Sequence, residues 1–273
     1  DPVVKREDGT WLYMLPSAVD DADLGITHVV RGEDHVANTA LQVQMFEALG
    51  KPVPTFAHLP LMTDIDGGGL SKRLGSLALQ DLRADGVEPL AMASYLAHLG
   101  TSDDIKAEAD LDALVASFDF AHFSRATPKF DPAQLMRVNA QVLHGTDFAA
   151  VQGRIPAGVN EALWLAVRAN VERVADVQQW QDIASADIEP KIEPEDADFL
   201  KQAADLLPAL PWDVETWGPW TGAVKQATER KGKGLFMPLR RALTGLDHGP
   251  ELKAYLPLLD RDRVFARLNG NKG

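Results

Sequence analysis

The 273-residue chain has no cysteine, so disulfides and thiolate metal sites are excluded from it. No uninterrupted apolar run approaches the length needed to cross a bilayer, and no basic-then-apolar segment opens the chain. The expectation is therefore a cytoplasmic protein with no membrane partner. There is no internal repeat, no low-complexity tract and no long linker. Basic residues are the minority: 27 Lys and Arg stand against 40 Asp and Glu, for a net charge of −13. The pI of about 4.9 looks wrong for a nucleic-acid binder, because a phosphate backbone is held mainly by Lys and Arg. Whole-chain charge says little about one face, however. Cations gather at Lys225, Arg230, Lys231, Lys233, Arg240 and Arg241, while acid collects in 103–112 and 189–198. Taken alone, such a basic run reads as a solvated helix face.

What is present is ordinary globular material, 45% hydrophobic and 25% charged, and long enough for two or three domains. Apolar runs at 11–15, 26–31 and 56–61 are bounded by turn residues and predict buried strands. Between the last two, Leu41, Met45 and Leu49 fall at four-residue intervals and predict a helix over 38–49, ended by Gly50 and Pro52. Strand, helix, strand and then a glycine-rich loop is α/β logic, with ligands at the C-terminal ends of strands. Strand signals fade after Gln80. Helices are predicted at 89–99, 110–117 and 131–143, and then at 159–170, 173–183, 194–207, 213–230, 235–244, 249–258 and 260–268. Trp212, Trp217 and Trp220 lie among prolines, a setting that favours core contacts over base-stacking platforms.

The loop reads Gly67-Gly68-Gly69-Leu70-Ser71-Lys72-Arg73, a glycine run delivering a hydroxyl and two positive charges. Phosphate handling needs free backbone N–H groups and cations to meet developing charge. Upstream stands Arg31-Gly32-Glu33-Asp34-His35. Together these two blocks resemble the second half of the catalytic domain of class I glutamyl-tRNA synthetases, bacterial in type, in which an R-G-E/D-D-H motif precedes a K-M-S-K-S-type loop. The resemblance extends through Asp8-Gly9-Thr10 with Tyr13, 19–28, Asn38-Thr39, 56–61 and 238–245. None of the seven histidines lies in a His-x-Gly-His pattern, the family's other signature. The resemblance thus implies a C-terminal piece of such an enzyme, with that signature upstream of Asp1.

The resemblance assigns roles residue by residue. Lys72, with Ser71 and Arg73, would act on the phosphates as pyrophosphate leaves; the ordinary alternatives are a surface lysine and a loop cap. Gly69 stands where many relatives carry the loop's first lysine. Arg31 would grip the glutamate carboxylate through a bidentate fork, or else pair structurally with Glu33 or Asp34. Tyr13, alternatively a buried core aromatic, and Ser17 would complete the glutamate site. Asp34, His35, His58 and Leu59 would lie near the ATP ribose and adenine, His58 having a structural alternative. In the helical half, Arg240 matches an anticodon-reading arginine and Arg241 is its neighbour. Asn170 falls where some relatives place the arginine that discriminates the last anticodon base, which opens the question of tRNA(Gln).

The expected fold is α/β followed by all-α. A partial Rossmann-type catalytic domain at 1–75 leads to a helical stem-contact domain at 76–150 and an α-helical anticodon-binding domain at 151–273. The implied activity is glutamate–tRNA ligation with glutamate, ATP, substrate-associated Mg²⁺ and tRNA(Glu), in a monomer, with no zinc. Two other readings stand beside it. One is a short paralogue that glutamylates a modified tRNA base, against which residues 150–268 argue. The other is a tRNA-binding module without a working active site.

Overall fold

The computed structural model describes residues 2–70 and 78–273. The chain forms two compact units, the first made of 1–77, 97–104 and 118–131 and the second of 78–96, 105–117 and 132–273.

The first unit is built on a strand–helix–strand crossover. α1 spans Met14–Asp23, β1 His28–Gly32, α2 Val36–Ala48 and β2 Thr55–Leu59. β1 and β2 pair in parallel, with Arg31 opposite His58 and Gly32 opposite Leu59. Parallel neighbours need a crossover, which α2 supplies. α2 ends where the Lys51 N–H bonds to the Phe46 carbonyl and the Gly50 N–H to Glu47. Two further short strands, β3 (Thr63–Asp64) and β4 (Lys129–Phe130), also pair in parallel.

The run at 11–15 is not the buried strand its composition predicts. Trp11 makes an isolated bridge with Lys5 and is 54% exposed, and the helix α1 starts at Met14. Pro16 sits in the first helical turn, where its missing N–H costs nothing, so the helix runs through it to bury Ala18.

The second unit is helical. α3 (Leu79–Ala84), α4 (Pro89–His98), α5 (Leu111–Ser117), α6 (Pro132–Gly145) and α7 (Phe148–Val151) are followed by α8 (Glu161–Val167) and α9 (Val177–Ser185). α10 (Ala197–Asp205), α11 (Trp217–Thr228), α12 (Lys233–Thr244), α13 (Leu252–Tyr255) and α14 (Arg261–Leu268) complete it. Its core runs continuously from Leu143 to Leu268 and includes Trp164, Trp180, Leu200, Trp220, Leu239 and Leu243. The ring N–H of Trp220 reaches the Ala203 carbonyl at 3.0 Å and that of Trp212 reaches Pro208 at 3.2 Å, so both are satisfied core residues.

Asn139, Glu88 and Arg267 are buried polar groups of this unit with several partners each, whereas Nη1 of Arg240 is buried without one among the described residues. Asn139 accepts from the Glu88 N–H at 2.7 Å and donates to the carbonyls of Gly86 and Glu172. Glu88 takes both ends of the Arg154 fork, at 2.5 and 2.7 Å. Arg267 is wholly buried and donates to the carbonyls of Ile183, Ala186, Leu243 and Gly273. Burial pushes its guanidinium below the usual arginine range, though the four acceptors hold it in place. Among the described residues, no helix is long and apolar enough to cross a membrane.

Candidate functional site

β1 carries Arg31 to its C-terminal end and then turns through Gly32 into a short 3₁₀ turn, Glu33–His35, that opens α2. Gly32 is favoured by close approach rather than by backbone angle. A Cβ there would lie 2.5 Å from Asp34 Oδ1 and 2.8 Å from a Leu61 methyl.

The half-buried Arg31 guanidinium is held from three sides. Nη2 donates to Thr39 Oγ1 at 2.8 Å and, more weakly, to the His35 carbonyl at 3.4 Å. Nε points at His58 Nε2 at 3.4 Å, and Cζ lies 5.2 Å from the centre of the Phe56 ring. Nε is always a donor, so His58 Nε2 accepts this bond when the ring proton is on Nδ1. Thr39 Oγ1 also sits 3.2 Å from the His35 carbonyl and 3.0 Å from His58 Nε2. Among the described residues, Arg31 pairs with no carboxylate, so the structural alternative involving Glu33 or Asp34 does not hold.

Tyr13 is 56% exposed, which overturns the core-aromatic alternative; its ring centre lies 5.7 Å from that of His35. Ser17 follows one turn on in α1, half-buried, and its N–H bonds to the Tyr13 carbonyl. His35 Nδ1 accepts from the Asn38 amide at 3.1 Å, leaving Nε2 to carry the proton that faces Asp34 Oδ2 at 3.7 Å. Leu59 closes β2 opposite Gly32. Tyr13, Arg31, His35 and His58 are thus gathered around the C-terminal ends of the two paired strands, where open α/β sheets place ligands.

The root of the glycine loop is a tight turn. Asp64 Oδ1 accepts the N–H groups of Asp66 and Gly68, and the Gly67 N–H bonds to the Asp64 carbonyl. Gly67 has φ of +88°, where a side chain is strained, and a Cβ on Gly68 would lie 2.7 Å from the Asp64 carboxylate and displace it. Gly69 bridges to Thr63, and the Lys129 ammonium donates to the Ile65 carbonyl at 3.1 Å. Ser71, Lys72 and Arg73 lie outside the described residues.

In the helical unit, Arg240 lines an open cleft of about 300 Å³ with Trp217, Phe236, Met237, Glu251 and Lys253. Its Nη2 donates to the Pro250 carbonyl at 2.9 Å, and burial pushes its guanidinium down. Arg241 is bonded to Asp247 at 2.5 Å and lies 3.6 Å from Glu193. The Asp247 hydrogen bond pushes the Arg241 guanidinium up, and the Arg241 and Lys191 bonds push the Asp247 carboxyl down. Asn170 ends a 3₁₀ turn and is exposed. Among the described residues no group of three or more His, Asp and Glu is placed to hold a metal ion.

A family model described as tRNA synthetases class I (E and Q), catalytic domain, matches residues 1–137. The chain belongs to this family. A second model, described as an anticodon binding domain, matches 168–271 of this synthetase chain. The glutamate–tRNA ligase of Azospirillum brasilense is 57% identical across 99% of the chain, and glutamate–tRNA ligase 1 of Rhodospirillum rubrum 53% identical across all of it. In both cases the chain spans 61% of the relative's length. The fold is shared with the crystal structures of two glutamate–tRNA synthetases. That of Elizabethkingia anophelis has a TM-score of 0.74 at 22% identity, covering 98% of this chain and 61% of that one. That of Elizabethkingia meningosepticum, in complex with its amino acid, has a TM-score of 0.75 at 24% identity with the same coverage.

Thr39 is not among the residues the sequence singles out for this candidate site. Its signal was only its place in the matched Asn38-Thr39 pair. The parallel register that sets Arg31 beside His58, with α2 above them, is what makes it a partner of both.

Proposed function

We propose that the full-length protein is a glutamate–tRNA ligase. A glutamate α-carboxylate oxygen attacks the α-phosphorus of ATP, the bond to the β-phosphate oxygen breaks, and pyrophosphate leaves. The resulting glutamyl-adenylate then passes its acyl group to the terminal ribose of tRNA(Glu), releasing AMP. The observation that carries this reading is Arg31. It stands at the C-terminal end of a parallel strand, without a carboxylate partner among the described residues, and reaches the carbonyl of His35, whose ring neighbours an exposed Tyr13. A guanidinium so held is a receptor for a carboxylate, and the names of the relatives point to glutamate.

In this reading Arg31, Tyr13 and Ser17 receive glutamate. Asp34, His35, His58 and Leu59 flank ATP, whose Mg²⁺ arrives with its phosphates. Lys72, Ser71 and Arg73 meet the charge on the departing pyrophosphate. Catalysis is positioning and electrostatic stabilisation rather than covalent protein chemistry. Residues 1–75 act as part of the catalytic domain, 76–150 as a stem-contact region and 151–273 as the anticodon reader, with Arg240 and Arg241 near the anticodon. The absence of an arginine at Asn170 supports charging of tRNA(Gln) as well. The enzyme works as a cytoplasmic monomer. Glutamate-dependent exchange of pyrophosphate into ATP, measured on the full-length protein with tRNA present, tests the reading. Exchange with a different amino acid, or none, would overturn it.

A further inference from the structure

Arg31 offers two edges to a carboxylate. One is the side-on edge formed by Nε and Nη2; the other is the end-on edge formed by Nη1 and Nη2. The side-on edge is already filled. Nη2 donates to Thr39 Oγ1 at 2.8 Å, Nε points at His58 Nε2 at 3.4 Å, and those two acceptors are themselves 3.0 Å apart. The pair therefore spans the Nε–Nη2 edge much as a bound carboxylate would. Nη1 has no recorded partner among the described residues, and the remaining Nη2 hydrogen meets only the long 3.4 Å contact to the His35 carbonyl. The fork is thus left with one open edge, and which edge is open is decided by Thr39.

We propose that Thr39 is the positioning residue of the glutamate site: its hydroxyl, braced by His58, fixes the Arg31 guanidinium so that the substrate carboxylate is met end-on through Nη1. The inference rests on the reading that Arg31 receives that carboxylate. Three features of the local fold make the hydroxyl suited to the task. Thr39 lies in the first turn of α2, and its Oγ1 sits 3.2 Å from the carbonyl four residues back and 3.0 Å from His58 Nε2, so its single proton goes to one of these acceptors and a lone pair is left for Arg31 Nη2. His58 is fixed opposite Arg31 by the strand register. The hydroxyl accepts from a charged donor, so its loss removes one of the stronger kinds of neutral-to-ion contact. Without it, the guanidinium can rotate and present the wrong edge.

The test is made on the full-length protein. Thr39→Val keeps the shape and removes the acceptor; it is expected to raise the KM for glutamate about 10-fold or more and the KM for ATP by a clearly smaller factor, since His58 loses the same hydroxyl. Thr39→Ser keeps the hydroxyl and is expected to restore glutamate KM. Thr39→Ala reads the same contact should the valine variant fail to fold. Arg31→Ala is measured alongside. If Arg31→Ala abolishes glutamate saturation while Thr39→Val and Thr39→Ala leave it unchanged, the positioning role is overturned and the site reading stands. If serine fails as badly as valine, or if the KM values for glutamate and ATP rise by the same factor, Thr39 is a packing residue and the proposal fails. If Arg31→Ala itself leaves glutamate KM unchanged, the reading beneath the proposal fails, and the proposal with it.

Discussion

In the helical unit Trp164, Leu200, Leu239 and Leu243 are fully inside, whereas in the first unit Trp11, Tyr13, Leu24, Ile26, Val30, Leu61 and Ile65 stand exposed. The helical unit is held by a continuous core in which Asn139 and Arg267 tie distant segments together through several hydrogen bonds each. The first unit has few fully buried side chains, Ala18 and Phe46 among them, and relies on strand pairing, a glycine turn and the hydrogen bonds around Arg31. The difference teaches where each kind of residue is spent. Burial stabilises the unit that carries no candidate chemistry. The unit that carries it keeps polar groups at strand ends, where they can meet a ligand.

That contrast is broken most forcefully by Arg267→Met in the helical unit. Gly273 keeps the Ile188 N–H, but the carbonyls of Ile183, Ala186 and Leu243 lose their donor, and each buried acceptor left unpaired costs about 1–3 kcal/mol. Stability should fall by several kcal/mol in urea denaturation of this chain, with the loss confined to the transition of the helical unit. A loss of under about 1 kcal/mol would mean that water reaches those carbonyls. Lys72→Ala in the full-length protein should do the opposite. Adenylate formation should drop about 10²–10³-fold, as for loss of one contact to transition-state charge, with the melting temperature unchanged. An unaltered rate of pyrophosphate exchange would reduce Lys72 to a surface lysine.

A smaller effect sharpens the comparison within the helical unit. Arg240→Ala should weaken tRNA(Glu) binding about 10-fold and blunt the preference for its anticodon, whereas Arg241→Ala should do less, because that side chain is already engaged by Asp247 and Glu193. Filter binding with anticodon variants reads both. Equal losses on every anticodon would make the helical unit a general clamp. The smallest effect belongs to Leu24→Gln. Leu24 is 76% exposed, so stability of this chain should move by under about 0.5 kcal/mol. A large loss would mean that the apolar surface of the first unit is packed in solution.

Much of this was legible from periodicity. The strand–helix–strand crossover and the succession of helices from Pro132 onward stand within a few residues of where apolar spacing and Pro and Gly punctuation set them. The helix α1 was not, because Trp11–Leu15 has the composition of a strand and Pro16 looks like a breaker until its place in the first turn is known. The short helices α3 and α7 span 6 and 4 residues, too few to establish a period. Tyr13, Arg31, His35 and His58 came from motif matching, since their grouping depends on strand register, which no single segment encodes. Of the basic run, Arg230, Arg240 and Arg241 turn out to be tied to Asp196, Pro250 and Asp247. A charge pattern cannot distinguish a cation that binds a partner from one that binds its own chain. The buried Arg267 gave no signal, because on paper it belongs to the polar face of a terminal helix.

The Asn139 amide has a consequence for how the helical unit opens to water. The Glu88 N–H that it receives lies 51 residues away in sequence, just before α4, and is sheltered by a side chain rather than by a helix ladder. Fraying of α4 alone cannot release that proton; α6, the carrier of Asn139, must separate from the 86–88 segment first. Solvent deuterium should therefore reach the Glu88 amide only in the rare excursions that part these distant segments together. In native-state exchange this single amide serves as a clock for the cooperative opening of the unit.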